Sequence, residues 1–272
     1  TVEVGARGSD LYTNNVYQVK QFLPDEVNGE KGMWMPVLGY GISYYIFSSG
    51  QLLEFTGKGK GFTPLGNLLS RRLAKDSKGN IWLATAGGLY MWSRKNKLGD
   101  NNFVGYVNEP GNKNSIPFSD INDVHVDEHD HVWFTGTGNG LAEFDGQKFY
   151  QYFPENPASS KAFSGMHWDK SRRIWIITKN GLEVFDRDAK KFLHVDVNDG
   201  ALNNSIAAYF SNEQDGLVSF VAGNRLFSFR PESMKFNFSY PNLYLADMSV
   251  FGKSLLHEAL QGRVELKARE RF

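Results

Sequence analysis

The sequence predicts an all-β protein, a β-propeller of four-stranded blades, and three observations carry that expectation. One pattern recurs along most of the 272 residues: an aromatic-bearing strand, a Gly turn, then a strand opening with Leu. Its spacing is about 42 residues, a period of propellers and not of helical solenoids, which would show a 3.6-residue rhythm. The strands are short and apolar on both faces, as expected when every sheet is sandwiched between two others.

Three copies define the pattern. Ile81-Trp82-Leu83-Ala84-Thr85 runs through Gly87-Gly88 to Leu89-Tyr90, Val132-Trp133-Phe134-Thr135 through Gly138 and Gly140 to Leu141, and Ile174-Trp175-Ile176-Ile177-Thr178 through Gly181 to Leu182. Weaker copies follow at Leu217 to Phe229, at Tyr44 to Phe55, and at Val2 to Tyr12, where the chain starts as if inside a blade. Taking positions 3, 44, 82, 133, 175 and 217 as equivalent gives six units. A full blade is legible around Trp133: strands at Ile121 to Asp127, His131 to Thr135, Leu141 to Asp145 and Lys148 to Phe153. Asp and Gly punctuate the junctions, Asp by capping local backbone donors and Gly by taking positive φ.

Strand order then sorts the loops onto two faces. First-to-second and third-to-fourth turns share one face, and the first-to-second turns are short, as in Asp76-Ser77-Lys78-Gly79-Asn80. Second-to-third turns and blade-to-blade connections share the other. Residues 24–36, 56–69, 93–118 and 154–163 are read as long connections, and long loops on a rigid scaffold are where binding concentrates. Ligand contacts are therefore sought there: Trp34, Tyr40 and Tyr106 as stacking surfaces, with Arg7, Arg71, Asn139, Lys179 and Arg225 as polar groups near strand ends.

Composition bounds the chemistry. Thirty basic residues balance thirty acidic ones, which gives no reason to expect nucleic acid. Cysteine is absent, removing disulfides, thiolate metal sites and thiol nucleophiles. There is no signal peptide at Thr1 and no apolar run long enough to span a membrane, so membrane attachment would use segments outside this chain. His125, His129 and His131 stand near Asp127 and Asp130, yet His129 and His131 fall in a turn and read as solvated, so no metal and no cofactor is expected. Gly57-Lys58-Gly59-Lys60-Gly61 lacks the spacing of a phosphate loop. No nucleophile elbow occurs, and a glycosidase pair would need two carboxylates from different blades to converge. No catalytic residue is assigned.

After Phe238 the repeat stops. Leu243-Tyr244-Leu245 through Val250-Phe251-Gly252-Lys253 reads as the opening of a β-sandwich, dividing the chain into a propeller at 1–239 and a truncated second domain at 240–272. The units built on Asp76-Ser77-Lys78-Gly79-Asn80-Ile81-Trp82 with Gly87-Gly88-Leu89-Tyr90 resemble the two-component regulator propeller repeat. The segment ending in Val250-Phe251-Gly252-Lys253 is similar to the start of the triple-tyrosine domain that follows such propellers. Together they resemble the periplasmic sensor region of hybrid two-component proteins of Bacteroidetes, which detect glycan breakdown products and control polysaccharide-use genes. That resemblance implies that the six units are part of a seven-bladed ring, and it implies a non-catalytic periplasmic sensor domain, an oligosaccharide ligand, a homodimeric parent and kinase activity only in the parent. Two other classes compete: a streptogramin-lyase-like enzyme, resembled by the units at Val132 and Gly140, and a WD-repeat-like scaffold, for which no regular Trp-Asp ending is present.

Overall fold

The computed structural model describes residues 19, 21–37, 41–55, 68–155, 159, 161–178, 181–195, 206–212, 217–222, 225–234, 249–250, 253–254 and 257. The chain divides into two compact units, Thr1–Lys235 and Phe236–Phe272. In the first, four antiparallel four-stranded sheets follow one another in sequence order. Blade 1 comprises β1 (Leu23–Val27), β2 (Glu30–Val37), β3 (Gly41–Ile46) and β4 (Leu52–Phe55). Blade 2 comprises β5 (Ser70–Lys75), β6 (Ile81–Thr85), β7 (Gly88–Trp92) and β8 (Phe103–Tyr106). Blade 3 has β9 (Ile121–Val126), β10 (Val132–Gly136), β11 (Gly140–Phe144) and β12 (Phe149–Tyr152). Blade 4 has β13 (Phe163–Trp168), β14 (Arg173–Thr178), β15 (Gly181–Asp186) and β16 (Lys191–Val195). Blade 5 shows three strands, β17 (Ile206–Asn212), β18 (Leu217–Ala222) and β19 (Arg225–Phe229), before a 3-10 turn at Pro231–Ser233. In the second unit β20 (Ser249–Val250) pairs with β21 (Lys253–Ser254) as a short hairpin.

This is a β-propeller architecture. Five blades lie in the described residues, and the expected unit at Val2 to Tyr12 lies outside them.

Each blade is locked onto the next by the same aromatic step. The indole of the second strand packs on the third-strand ring of the following blade: Trp34 on Trp92 (5.1 Å), Trp82 on Phe144 (6.1 Å), Trp133 on Phe185 (5.9 Å) and Trp175 on Phe229 (4.9 Å). These tryptophans are almost wholly inaccessible, so each desolvated indole N–H needs an acceptor. For three of them the sequence supplies one six residues earlier. Asp76, Asp127 and Asp169 each accept the N–H of residues i+2 and i+4 on Oδ1 and the indole N–H of residue i+6 on Oδ2. The aspartate thus closes the turn and satisfies the core ring in one step.

Register corrects the sequence reading in blade 1. Gly41 opens β3 opposite Val37 just as Gly88 opens β7 opposite Thr85, so the counterpart of Trp82 is Trp34, and Tyr44 sits one strand later. The missed signal is Asn28-Gly29. Both residues take left-handed φ (51° and 85°), turning the chain in two residues, so 24–36 is a hairpin and not a connection. Likewise 93–118 contains the third-to-fourth turn, β8 and then the true connection 107–120. In blade 5, Val218 pairs with Phe229 as Ile174 pairs with Phe185, which puts Ser219, not Leu217, at the tryptophan position. Its hydroxyl meets Ser228 Oγ at 2.8 Å.

Candidate functional site

The inner strands β5, β9 and β13 pack beside one another, each carrying a bulge near its start that turns backbone groups toward the adjoining blade. Side chains of the preceding blade take those groups. Gln21 accepts Leu73 N–H at 2.7 Å and donates to Leu73 O at 3.0 Å, and Asp123 Oδ2 accepts Met166 N–H at 2.9 Å. One residue along the bulge, Arg71 Nη1 donates to Asp120 Oδ1 (2.6 Å) and Ile121 O (2.7 Å). In the next blade Asn122 Nδ2 has the same role, donating to Phe163 O (2.6 Å) and Thr137 Oγ1 (2.9 Å).

From Asn122 a polar strip runs outward across the long-loop end of blade 3. Asn139, half-buried in the β10–β11 turn, donates to Thr137 O at 2.9 Å and accepts from Gln151 Nε2 through its own carbonyl at 2.8 Å. Gly140 then brings β11 so close to β12 that a Cβ there would stand 2.5 Å from Tyr152 O, at a φ of +75° that favours glycine. The Phe153 ring lies over that glycine, 42% exposed, with the Lys161 ammonium 5.5 Å from its centroid. A partly exposed aromatic ring, three amides, a hydroxyl and a cation therefore share one blade end. Leu69 and Val107 are further exposed apolar side chains on this face.

The sequence-derived contacts fare unevenly. Trp34 is fully buried and bonded to Asp25, so it is core and not a stacking surface. Tyr106 is half-buried, stacked on Trp82 at 5.7 Å, and burial raises its hydroxyl pKa. Arg71 is on the expected face but is spent on the tie between blades 2 and 3. Asn139 is half-buried in the strip, with its side-chain amide bonded to Thr137 O. Arg225 begins β19, where only its backbone is described, while Arg7, Tyr40 and Lys179 lie outside the described residues. Phe153, Gln151 and Asn122 were missed. Phe149-Tyr150-Gln151-Tyr152-Phe153 puts rings on both faces, so alternation could not say which ring is open.

The opposite, short-turn face is charged and saturated. Arg187 bonds Asp127 (3.2 Å) and Glu128 (3.0 Å) while stacking over Trp168 at 4.4 Å, and Arg172 reaches Glu128 and Asp188. His131, expected to be solvated, instead places Nδ1 2.8 Å from Glu143 Oε1, and His125 Nε2 stands 3.9 Å from Asp123. Among the described residues no group of three or more His, Cys, Asp or Glu is placed to hold a metal ion. No helix among them is long and apolar enough to cross a membrane.

No protein-family model matches this chain. A curated relative is histidine kinase P4 of Formosa agariphila, 22% identical over 232 residues, covering 85% of this chain and 17% of the kinase. Among solved structures, the chain is similar to the extracellular domain of the hybrid two-component system BT3049 of B. thetaiotaomicron (TM-score 0.61, 15% identity, 81% of this chain and 30% of that one). It is also similar to PorZ, a surface component of the type-IX secretion system of Porphyromonas gingivalis (TM-score 0.59, 17% identity, 83% and 34%). Streptogramin B lyase gives a TM-score of 0.55 at 18% identity, over 78% of this chain and 65% of the enzyme. These likenesses establish the propeller fold. The chain spans about a sixth of the kinase, 17%, and about a third of the first two solved chains, 30% and 34%.

Proposed function

We propose that this chain is the extracytoplasmic sensing domain of a two-component histidine kinase, and that its long-loop face binds an oligosaccharide. The observation carrying the ligand class is the strip Asn122, Thr137, Asn139, Gln151 and Phe153. An exposed ring offers its face to the apolar side of a sugar, and fixed amides beside it suit hydroxyl donors and acceptors. The kinase relative and the similar extracellular domain support the sensor role. In this reading a homodimeric parent, anchored by segments outside the chain, carries the signal to polysaccharide-use genes. The residues at 240–272 are proposed to begin a triple-tyrosine domain, and Arg7, Tyr40, Lys179 and Arg225 remain proposed contacts. A ligand switches such a sensor only if it binds two arrangements unequally.

No turnover is proposed for this chain. The paired histidines are built into packing: His194 is buried against Glu183, and His131 is held by Glu143 in the interface between blades 3 and 4.

Calorimetric titration of the intact ectodomain with a glycan panel tests the reading. A binding glycan should lose at least about tenfold in affinity with Phe153→Ala, and less with Asn139→Ala. Absence of binding to every glycan, or binding untouched by both substitutions, refutes it.

A further inference from the structure

The position four residues after each turn aspartate departs from the repeat in blade 4. In blade 2 it is Asn80, which donates to Asp76 Oδ2 at 2.8 Å and accepts Arg94 N–H at 2.9 Å. In blade 3 it is His131, set against Glu143. Both of these bonds stay within one blade. In blade 4 it is Arg173, buried at the start of β14, and it reaches the far end of blade 5. Its Nη2 donates to Pro231 O at 2.7 Å and its Nη1 to Met234 O at 2.9 Å, the two carbonyls that bracket the 3-10 turn following β19. The second compact unit begins at Phe236, two residues beyond Met234.

The chemistry of the position selects arginine. One edge of the planar fork offers Nε to Asp169 Oδ2 at 2.6 Å, the oxygen that also accepts the Trp175 indole, while the two Nη atoms face the carbonyls. Both members of the ion pair are out of water, with side chains 8% and 0% exposed, so the cation is balanced where it stands. The guanidinium also lies 5.6 Å from the Trp175 ring, on which Phe229 of β19 packs. A lysine would keep a charge for Asp169, but one ammonium cannot span the aspartate and both carbonyls. The turn aspartate that closes the turn and satisfies the core indole therefore also holds, through Arg173, the segment by which the chain leaves blade 5.

We propose that Arg173 is a positioning residue that fastens the propeller's exit to blade 4, so that the chain leaving β19 moves with blade 4. Strand β14 runs from Arg173 at the short-turn end to Thr178 at the long-loop end, about 17 Å at the rise of a strand. A tilt of blade 4 at the long-loop face is thereby delivered to residues 231–234 at its opposite end. Use of this path for signalling rests on the sensor reading above, whereas the fastening does not.

The chain contains no cysteine, so Glu232→Cys, exposed in the turn, and Lys191→Cys, exposed on β16, can each carry a single nitroxide label in the full chain. With Arg173 in place the label at position 232 should give an immobilised spectrum. Adding Arg173→Lys should remove that immobilised component and leave the spectrum at position 191 as it was. An unrestrained label at 232 with Arg173 in place, a spectrum there that Arg173→Lys leaves unchanged, or equal loosening at 232 and 191 overturns the proposal. The last outcome would make Arg173 a general core residue. Should Arg173→Lys fail to fold, denaturant titration of the two labelled proteins with Arg173 intact decides the matter. Release of 232 at the same midpoint as 191 supports the fastening, and release of 232 while 191 stays as in the native state refutes it. Neither arm uses a ligand, so the result stands whether or not a glycan binds.

Discussion

The two ends of the interface between blades 3 and 4 treat charge in opposite ways. At the short-turn end Asp127, Glu128 and Glu143 each meet a cation, because the β15–β16 turn projects Arg187 and Lys190 back across the blade boundary. Toward the long-loop end Glu183 has the His194 imidazole on Oε1 and no hydrogen-bond partner on Oε2. Turns can carry long basic side chains whose heads stay near water, whereas a position midway along β15 is closed on both sides by packing. The lesson is that one interface can have two pH signatures. The Arg187 hydrogen bonds hold the Glu128 carboxyl down at about 2, so its contribution exists above the usual carboxylate range and is lost as pH falls toward 2. Burial raises the Glu183 carboxyl, so its contribution has the reverse sign, present at low pH and lost as pH rises through the native pKa.

Substitutions can break this contrast, and the largest effect is expected at Asp127. Replacing it with Ala strands the N–H groups of His129, His131 and the Trp133 indole and takes one partner from Arg187, at a cost of about 3–5 kcal/mol by denaturant unfolding. Glu143→Gln keeps the shape but weakens the bonds from Tyr152 and Lys190, and should cost about 1–3 kcal/mol. It should also bring the Tyr152 hydroxyl, now pushed well up by burial and then by Glu143, closer to the ordinary tyrosine value in a spectrophotometric titration. Smallest is Glu128→Gln, expected below about 1 kcal/mol at neutral pH because much of that side chain is in water. Its loss should vanish in high salt and near pH 2. A large, salt-independent effect there would remove the distinction between a buried and a rim carboxylate.

Much of the fold was legible in the sequence, for reasons visible in particular residues. Trp82, Trp133 and Trp175 each follow an aspartate by six, and that spacing states turn, strand and core at once. Blade 1 hid its membership because Trp34 takes its acceptor from Asp25, nine residues back across a two-residue hairpin. Asp25 is in turn bridged by Lys75 and Arg94 of blade 2. Burial raises its carboxyl, but the bonds from Trp34 and Lys75 leave it lower than usual. The long-loop face was defined by strand order alone, while the side chains expected to stand open on it were poorly placed. Trp34 and Tyr106 are aromatic for packing, Phe153 is aromatic and open, and nothing local separates the two cases.

The sequence by itself determined the repeating unit, the strand order within a blade and the role of its turn aspartates. Those follow from local chemistry: an indole needs an acceptor, a tight turn needs a residue of positive φ, and an apolar strand needs cover. Tertiary structure alone decided which charges meet across blades, which ring stays open and which carboxylate is left a single donor. Arg187 and Glu128, or Lys190 and Glu143, are separated by many residues and joined only when one blade closes on the next. Their distances, and the exclusion of water that raises the Glu183 carboxyl, exist only in the assembled interface.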